Sequence, residues 1–275
     1  MSLLDDLWSG RWVPIWLRRR VIAWLGYRVL LDAPLPGGSL RVLERGTVRR
    51  LRFGDAWEDQ SAFDRAAPTH PLLPYTQLAA LGLALPPRLD GVLHLGLGGG
   101  TLARMVHVAA PDTLQHAVER YAEVADAARR YFDLPDSVSI TIGDAAGLLD
   151  RLAPAYDLVF LDAFAPSGAP VSQSAATFVG VRRVLRPDGW LIVNATDDVR
   201  TTVLALHDVF ASVAWIKIPD ADQYLLVASD ALALDGVRAR AAALGARLGQ
   251  ELEPLVDRLV WADGSVLAGP GGTGG

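Results

Sequence analysis

From residue 91 onward one theme repeats: a short apolar run, then a helical pattern. GVLHLG (91–96) leads into LARMVHVAA (102–110), and LQHAVE (114–119) into YAEVADAARRYF (121–132). VSITIG (138–143) precedes AAGLLDRLA (145–153), and YDLVFLDAF (156–164) precedes SAATFVGVRRVLR (174–186). A fifth strand, WLIVNAT (190–196), leaves the turn Asp188-Gly189 and is followed by the helix VRTTVLALHDVF (199–210). SVAWIKI (212–218) and QYLLVAS (223–229) then read as a closing hairpin. Alternating βα units demand a parallel sheet with helices on both faces. Strands this uniformly apolar are buried on both sides. The expectation is an α/β fold, a Rossmann-like seven-stranded sheet that ends in an antiparallel hairpin.

Ahead of it, YRVLLDA, SLRVLERG and TVRRLRFGD (27–55) are broken by Pro36-Gly37-Gly38 and Arg45-Gly46. They read as a small antiparallel β unit. Scattered polar and proline positions follow, then a helix around Tyr75 to Leu83. The expected organisation is a Trp/Arg-rich segment 1–26, the β unit and its connecting helix 27–88, the main domain 89–265, and a disordered tail 266–275 ending GPGGTGG.

Composition removes several chemistries. The 275 residues contain no cysteine, which excludes disulfides, thiolate metal sites and a cysteine nucleophile. No clustered histidine pattern points to a metal. A net charge of −5 argues against a general nucleic-acid binder. No uncharged stretch is long enough to span a membrane, and Arg18, Arg19 and Arg20 break the apolar start, unlike a secretory signal. A cytoplasmic protein is expected. Residues 1–52 hold ten arginines against four acids. Trp8, Trp12 and Trp16 recur every fourth residue, although Pro14 interrupts a continuous helix. Three roles compete for this segment: packing on its own domain or on a homodimer partner, contact with a membrane surface, or a nucleic-acid arm. The first is favoured.

Gly96, Gly98, Gly99 and Gly100 follow the first strand directly and precede a helix. Glycines let backbone approach a ligand, and a helix start offers free N–H groups. Such a unit holds nucleoside cofactors. Gly98, Gly100 and Ala103 satisfy a dinucleotide pattern, whereas Gly96, Gly98 and Gly100 fit the G-x-G-x-G of S-adenosylmethionine sites. Glu119 ends the second strand, where a carboxylate can accept both ribose hydroxyls. Asp144 follows the third and can accept the adenine amino group, or can cap the next helix. Asp162 ends the fourth strand, at the sheet edge where open α/β folds bind ligands. Together they favour a sulfonium nucleoside over NAD.

On the glycine loop and on AVERYAEVADAARRYFDLPD, ITIGDAAGLL, YDLVFLDAFAPSGAP and RRVLRPDGWLIVN, the chain resembles the spermidine synthase-like family, a branch of the class I methyltransferase fold. The resemblance covers roughly residues 39–230 and extends to the small N-terminal β unit. It implies that Glu119 holds the ribose, Asp144 the adenine and Asp162 the attacking amine, with Tyr75 lining the acceptor pocket. His70 is a lesser candidate there. The cofactor implied is S-adenosylmethionine or its decarboxylated form, and the partner a small-molecule acceptor. The chain also departs from the family. Polyamine-making members carry an aspartate in the glycine loop, where this chain has only glycine and leucine. Their second aspartate after strand four is Ala165 here, the acid after the pocket tyrosine is Gln77, and the aspartate after Glu119 is Tyr121. A diamine is a dication, and burying an unpaired ammonium is costly. Asp162 remains as its clear partner, with Asp197 and Asp198 as further candidates. These losses favour methyl transfer from intact S-adenosylmethionine, with aminopropyl transfer as the alternative and a non-catalytic nucleoside-binding scaffold as the third reading.

Overall fold

The computed structural model describes residues 24–54, 58–164, 173–196, 199–219, 221–231 and 234–262. Most of the Trp/Arg-rich segment, Asp197, Asp198, Ala165 and the glycine-rich tail lie outside them.

Strands β1 (Arg28–Leu35), β2 (Gly38–Arg45), β3 (Val48–Phe53) and β4 (Ser61–Asp64) form an antiparallel sheet in chain order. The sequence suggested three of these strands; the fourth is too short and too polar at its edges to show a period. Helix α1 (Pro74–Ala80) starts on a proline at its first turn, where the missing N–H costs nothing. A 3₁₀ turn, Leu81–Ala84, continues it.

The large sheet contains β5 (Gly91–Leu95), β6 (Leu114–Glu119), β7 (Ser139–Ile142), β8 (Tyr156–Leu161), β9 (Leu185–Ala195), β10 (Ser212–Lys217), β11 (Tyr224–Ser229) and β12 (Val260–Trp261). Their spatial order is β12-β10-β11-β9-β8-β5-β6-β7. Strands β5 to β9 are parallel, β11 pairs antiparallel with β9, and β10 pairs antiparallel with β11. The seven expected strands are present, and a two-residue eighth pairs with β10 at the edge. Between them run α2 (Thr101–Ala109), α3 (Ala122–Tyr131), α4 (Ala145–Leu149), α5 (Ala175–Val184) and α6 (Val199–His207), and α7 (Val237–Leu248) follows β11.

The two faces of the sheet bury separate cores. Met105, Phe160, Trp190, Ile192 and Leu225 pack under α1, α2 and α7. Leu93, Val159, Phe178, Val181, Leu191 and Leu206 pack under α5 and α6. The small sheet is not free-standing: Leu40, Val42, Leu51, Phe53 and Phe63 pack on Val124, Ala127 and Phe132 at α3. Arg49 Nη1 also donates to the Tyr131 carbonyl at 2.8 Å. That seating brings β4 over the end of β5. The strand order reverses at β5, with β6 on one side and β8 on the other, and crevices of open α/β sheets form at such a point.

Candidate active site

A cleft of about 560 Å³ opens at the carboxyl ends of β5, β6, β8 and β9, within the range of small-molecule sites. Gly96, Gly98, Gly100, Tyr75, Glu119, Asp144 and Asp162 all line it. The sequence thus brought the candidate residues to one place.

Gly96, Gly98 and Gly100 have φ of 93°, 51° and 70°, the left-handed region that glycine occupies without strain. Crowding by protein also selects them. A Cβ on Gly96 would stand 2.2 Å from the Asp162 carbonyl oxygen, and one on Gly100 2.5 Å from Leu134 Cδ1. Part of the glycine pattern therefore serves the meeting of β5, β8 and α3, in addition to any ligand.

The loop N–H groups are largely engaged, whereas the start of α2 carries no side-chain cap. Gly99 N–H donates to Ser61 Oγ of β4 at 2.8 Å. Leu97 N–H donates to Glu119 Oε2 at 3.0 Å, and Tyr121 N–H to Oε1 at 3.0 Å. Burial raises the Glu119 pKa, and the backbone donors around it work in the opposite direction. Glu119 thus joins β6 to the glycine loop, and a carboxylate has lone pairs left for further donors. Behind the loop, buried Arg104 donates to the carbonyls of Gly99 (2.6 Å) and Phe132 (2.5 Å) and lies over the Phe63 ring. Burial lowers its pKa to about 10.

Asp162 lies just beyond β8. Its Oδ2 accepts from Tyr75 Oη at 2.9 Å, and its Oδ1 from Asn194 Nδ2 at 2.9 Å. Asn194 Oδ1 in turn accepts from Gln223 Nε2 at 2.5 Å. Burial raises the Asp162 pKa, and the Asn194 and Tyr75 hydrogen bonds offset it in part. Tyr75 is pushed well above its ordinary value, first by burial and then by the Asp162 charge. Tyr75 thus stays protonated near neutral pH, and any negative charge in the pair sits on Asp162.

Asp144 takes its helix-capping role: its side chain accepts from Gly147 N–H at 3.4 Å, and Arg120 Nη2 lies 3.6 Å away. It still faces the cleft. His70 is exposed and not among the lining residues. His94 lines the cleft but is buried, stacks on Phe160 and bonds Gln115. Burial lowers its pKa to about 4, so it is neutral, as expected of a packing residue. Among the described residues no group of three or more His, Asp or Glu could hold a metal, and no helix is long and apolar enough to cross a membrane.

Sequence reasoning missed Ser61, Asn194 and Gln223. Asn194 carried a signal, an amide in the otherwise apolar WLIVNA run. Ser61 and Gln223 carried none, since only the seating of the small sheet and the hairpin turn bring them in. The described lining contains the carboxylates of Glu58, Asp59, Glu119, Asp144, Asp162 and Asp222; Asp59 is paired with Arg50 and Arg52, and Asp144 lies near Arg120, the lining's one arginine. That balance suits a cationic ligand and disfavours the pyrophosphate of a dinucleotide.

A family model described as S-adenosyl-L-methionine-dependent methyltransferase matches residues 109–205. The chain is 32% identical over 143 residues to a probable polyamine aminopropyl transferase of Bifidobacterium longum, covering 50% of this chain and 32% of that one. It is 29% identical over 165 residues to a polyamine aminopropyltransferase of Chromobacterium violaceum, covering 57% of this chain and 61% of that one. Each match thus spans less than two thirds of the relative. Among solved structures, a probable spermidine synthase from Corynebacterium glutamicum superposes with a TM-score of 0.64 at 20% identity, covering 87% of this chain and 91% of that one.

Proposed function

Given that the chain is a spermidine synthase-like protein of the class I methyltransferase fold, we propose that it is a transferase that moves an alkyl group from a sulfonium nucleoside to an amine. The observation that carries this reading is Asp162, held by Tyr75 and Asn194 at the cleft edge beside the glycine loop. The donor is S-adenosylmethionine or its decarboxylated form. Glu119 would hold its ribose, Asp144 the adenine, and the turn from Gly96 to Gly100 its sulfonium end. When bound, the donor would supply a carbon activated by positively charged sulfur, its C–S bond breaking as the new C–N bond forms and the neutral thioether nucleoside leaving with the electron pair.

The chain's own residues supply position and a proton acceptor. Holding two reactants in line is worth about 7–11 kcal/mol. An amine placed against Asp162 donates an N–H to it, which turns the nitrogen lone pair away from the carboxylate. As the nitrogen becomes positive, Asp162 takes its proton. The raised pKa of Asp162 makes it a better acceptor than an exposed aspartate.

The group transferred is the finer question. The relatives named as aminopropyltransferases and the six cleft carboxylates favour aminopropyl transfer to a linear diamine. The engagement of the loop N–H groups by Glu119 and Ser61 weakens the case for a carboxylate-bearing donor. One observation supports methyl transfer as the second reading, the carboxylate-free loop Gly96 to Thr101. Incubating the protein with each donor and a linear diamine, followed by mass spectrometry, separates them. Aminopropylated product from the decarboxylated donor is expected. A methylated product from intact S-adenosylmethionine alone would replace the reading.

A further inference from the structure

The closing hairpin does more at the cleft than finish the sheet. Gln223 immediately precedes β11, and its carbonyl accepts from Ile218 N–H at 2.9 Å, which fixes the residue at the hairpin turn. Its side chain donates to Asn194 Oδ1, and Asn194 Nδ2 donates to Asp162 Oδ1. Asn194 is itself buried, 4% exposed, and its backbone carbonyl accepts from Gln173 Nε2 at 2.8 Å.

An asparagine amide has two orientations of nearly equal shape. With Nδ2 toward Asp162 it donates to a carboxylate. Reversed, it would set an oxygen against that carboxylate and an NH₂ against the NH₂ of Gln223. Asp162 selects the first orientation, and Gln223 reinforces it, because the second would require both amides to turn and would still set Oδ1 against the carboxylate. We infer that Gln223 is a positioning residue that acts through Asn194, fixing which end of that amide meets Asp162 and so how the carboxylate presents itself to an acceptor. The inference rests on the proposed role of Asp162 as the group that holds the amine.

Its consequence is a change in the proton affinity of Asp162. The titratable and charged side chains that share the cleft with Asp162 are Glu58 and Asp59 ahead of β4, Tyr75 on α1, His94 on β5, Glu119 and Arg120 at the end of β6, Asp144 at the cap of α4, and Asp222 beside Gln223. Tyr75 and His94 are neutral near pH 7, because burial raises the first and lowers the second. No arginine or lysine hydrogen-bonds Asp162 among the described residues, so two neutral donors hold its charge. Weakening one of them favours the protonated acid.

The test replaces Gln223 with Met, which keeps its length and removes its N–H, and with Lys, which restores a donor. Carbon-13 NMR of aspartate-labelled protein follows the Asp162 carboxyl directly, assigned by its loss in Asp162→Asn. The same variants are assayed for the pH dependence of kcat/KM. Gln223→Met should raise the Asp162 midpoint by about half a pH unit or more, a threefold change in proton affinity, and Gln223→Lys should not raise it. The acidic limb of the rate profile should move with the midpoint, which a uniform loss of activity from simple misplacement would not produce. An unchanged midpoint in Gln223→Met overturns the inference. A midpoint that moves while the rate limb stays put upholds the relay and overturns instead the role of Asp162 as proton acceptor. Should the Met variant melt early, Gln223→Leu, which also removes the donor and adds no charge, carries the same test: the midpoint must rise.

Discussion

Two aspartates stand at opposite ends of β8, and their surroundings differ in kind. Asp157, at its start, is 1% exposed and meets two cations: Arg186 Nη1 lies 2.8 Å from both oxygens, and Arg88 Nε is 3.0 Å from Oδ1. The backbone N–H groups of Asp90 and Gly91 also donate to it, at 2.7 and 2.9 Å. Burial alone would push its carboxyl up, but Arg186 and the other donors carry it below the ordinary value. Asp162, just beyond the other end, has neutral donors and a raised pKa. Cations at one end make an acid that ties β5, β8 and β9 together and stays ionised. Neutral donors at the other leave an acid able to exchange a proton within a cleft. Environment, more than residue type, sets the proton affinity of a carboxylate.

Substitutions at the two ends should therefore part company. Asp162→Asn should lower turnover by about 10²–10⁴-fold, the usual contribution of a general base, with nucleoside affinity nearly intact by calorimetry. Retained activity would end the contrast. Asp157→Asn should do the reverse, costing about 1–3 kcal/mol of stability in urea melts because its NH₂ meets the donors that a buried carboxylate oxygen accepted from, while the folded fraction keeps its kcat/KM. The pH dependences have opposite signs. The Asp157 contribution is present above the unfolded carboxyl value, about 3.9, and is lost as pH falls through the lower folded one. Folding disfavours the ionised form of Asp162, so its cost grows as pH rises from the unfolded value toward the raised folded one and is relieved as pH falls back. Asp162→Asn should accordingly melt at or above the wild-type temperature at pH 7.

Glu119 sharpens the comparison as an acid held by backbone. Glu119→Ala strands the N–H groups of Leu97 and Tyr121, each worth about 1–3 kcal/mol when left unsatisfied, and should weaken nucleoside binding by tenfold or more. An unchanged Kd would remove it from the ribose. Tyr75→Phe is the mildest change, about 1 kcal/mol for one hydrogen bond. It should move the acidic limb of kcat/KM to higher pH, because Asp162 loses a donor.

Much of this was legible in the sequence because it is periodic or punctuated. Each of β5, β6, β8 and the hairpin strands appeared as an apolar run, and Gly96, Glu119 and Asp162 stand at the ends of such runs. Contacts that depend on docking were not legible. Ser61 reaches Gly99 across 38 positions, and Gln223 reaches Asn194 across 29. β4 has four residues and β12 two, too few to show alternation. Helix α7 has a weak apolar stripe and left-handed glycines at both caps, and it has no ligand-bearing residue to draw attention to it. Asp144 was read as an adenine acceptor or a helix cap, and the structure makes it a cap that also faces the cleft.

The most direct test of the central claim, a cleft for a cationic sulfonium nucleoside, is calorimetric titration of the full chain. S-adenosylmethionine, its decarboxylated form and methylthioadenosine would each be titrated into wild type and Asp162→Asn. The account predicts that the decarboxylated donor binds at least about tenfold more tightly than the intact one, a difference of about 1.4 kcal/mol, in both proteins. Absence of binding by all three to the wild-type chain would contradict it.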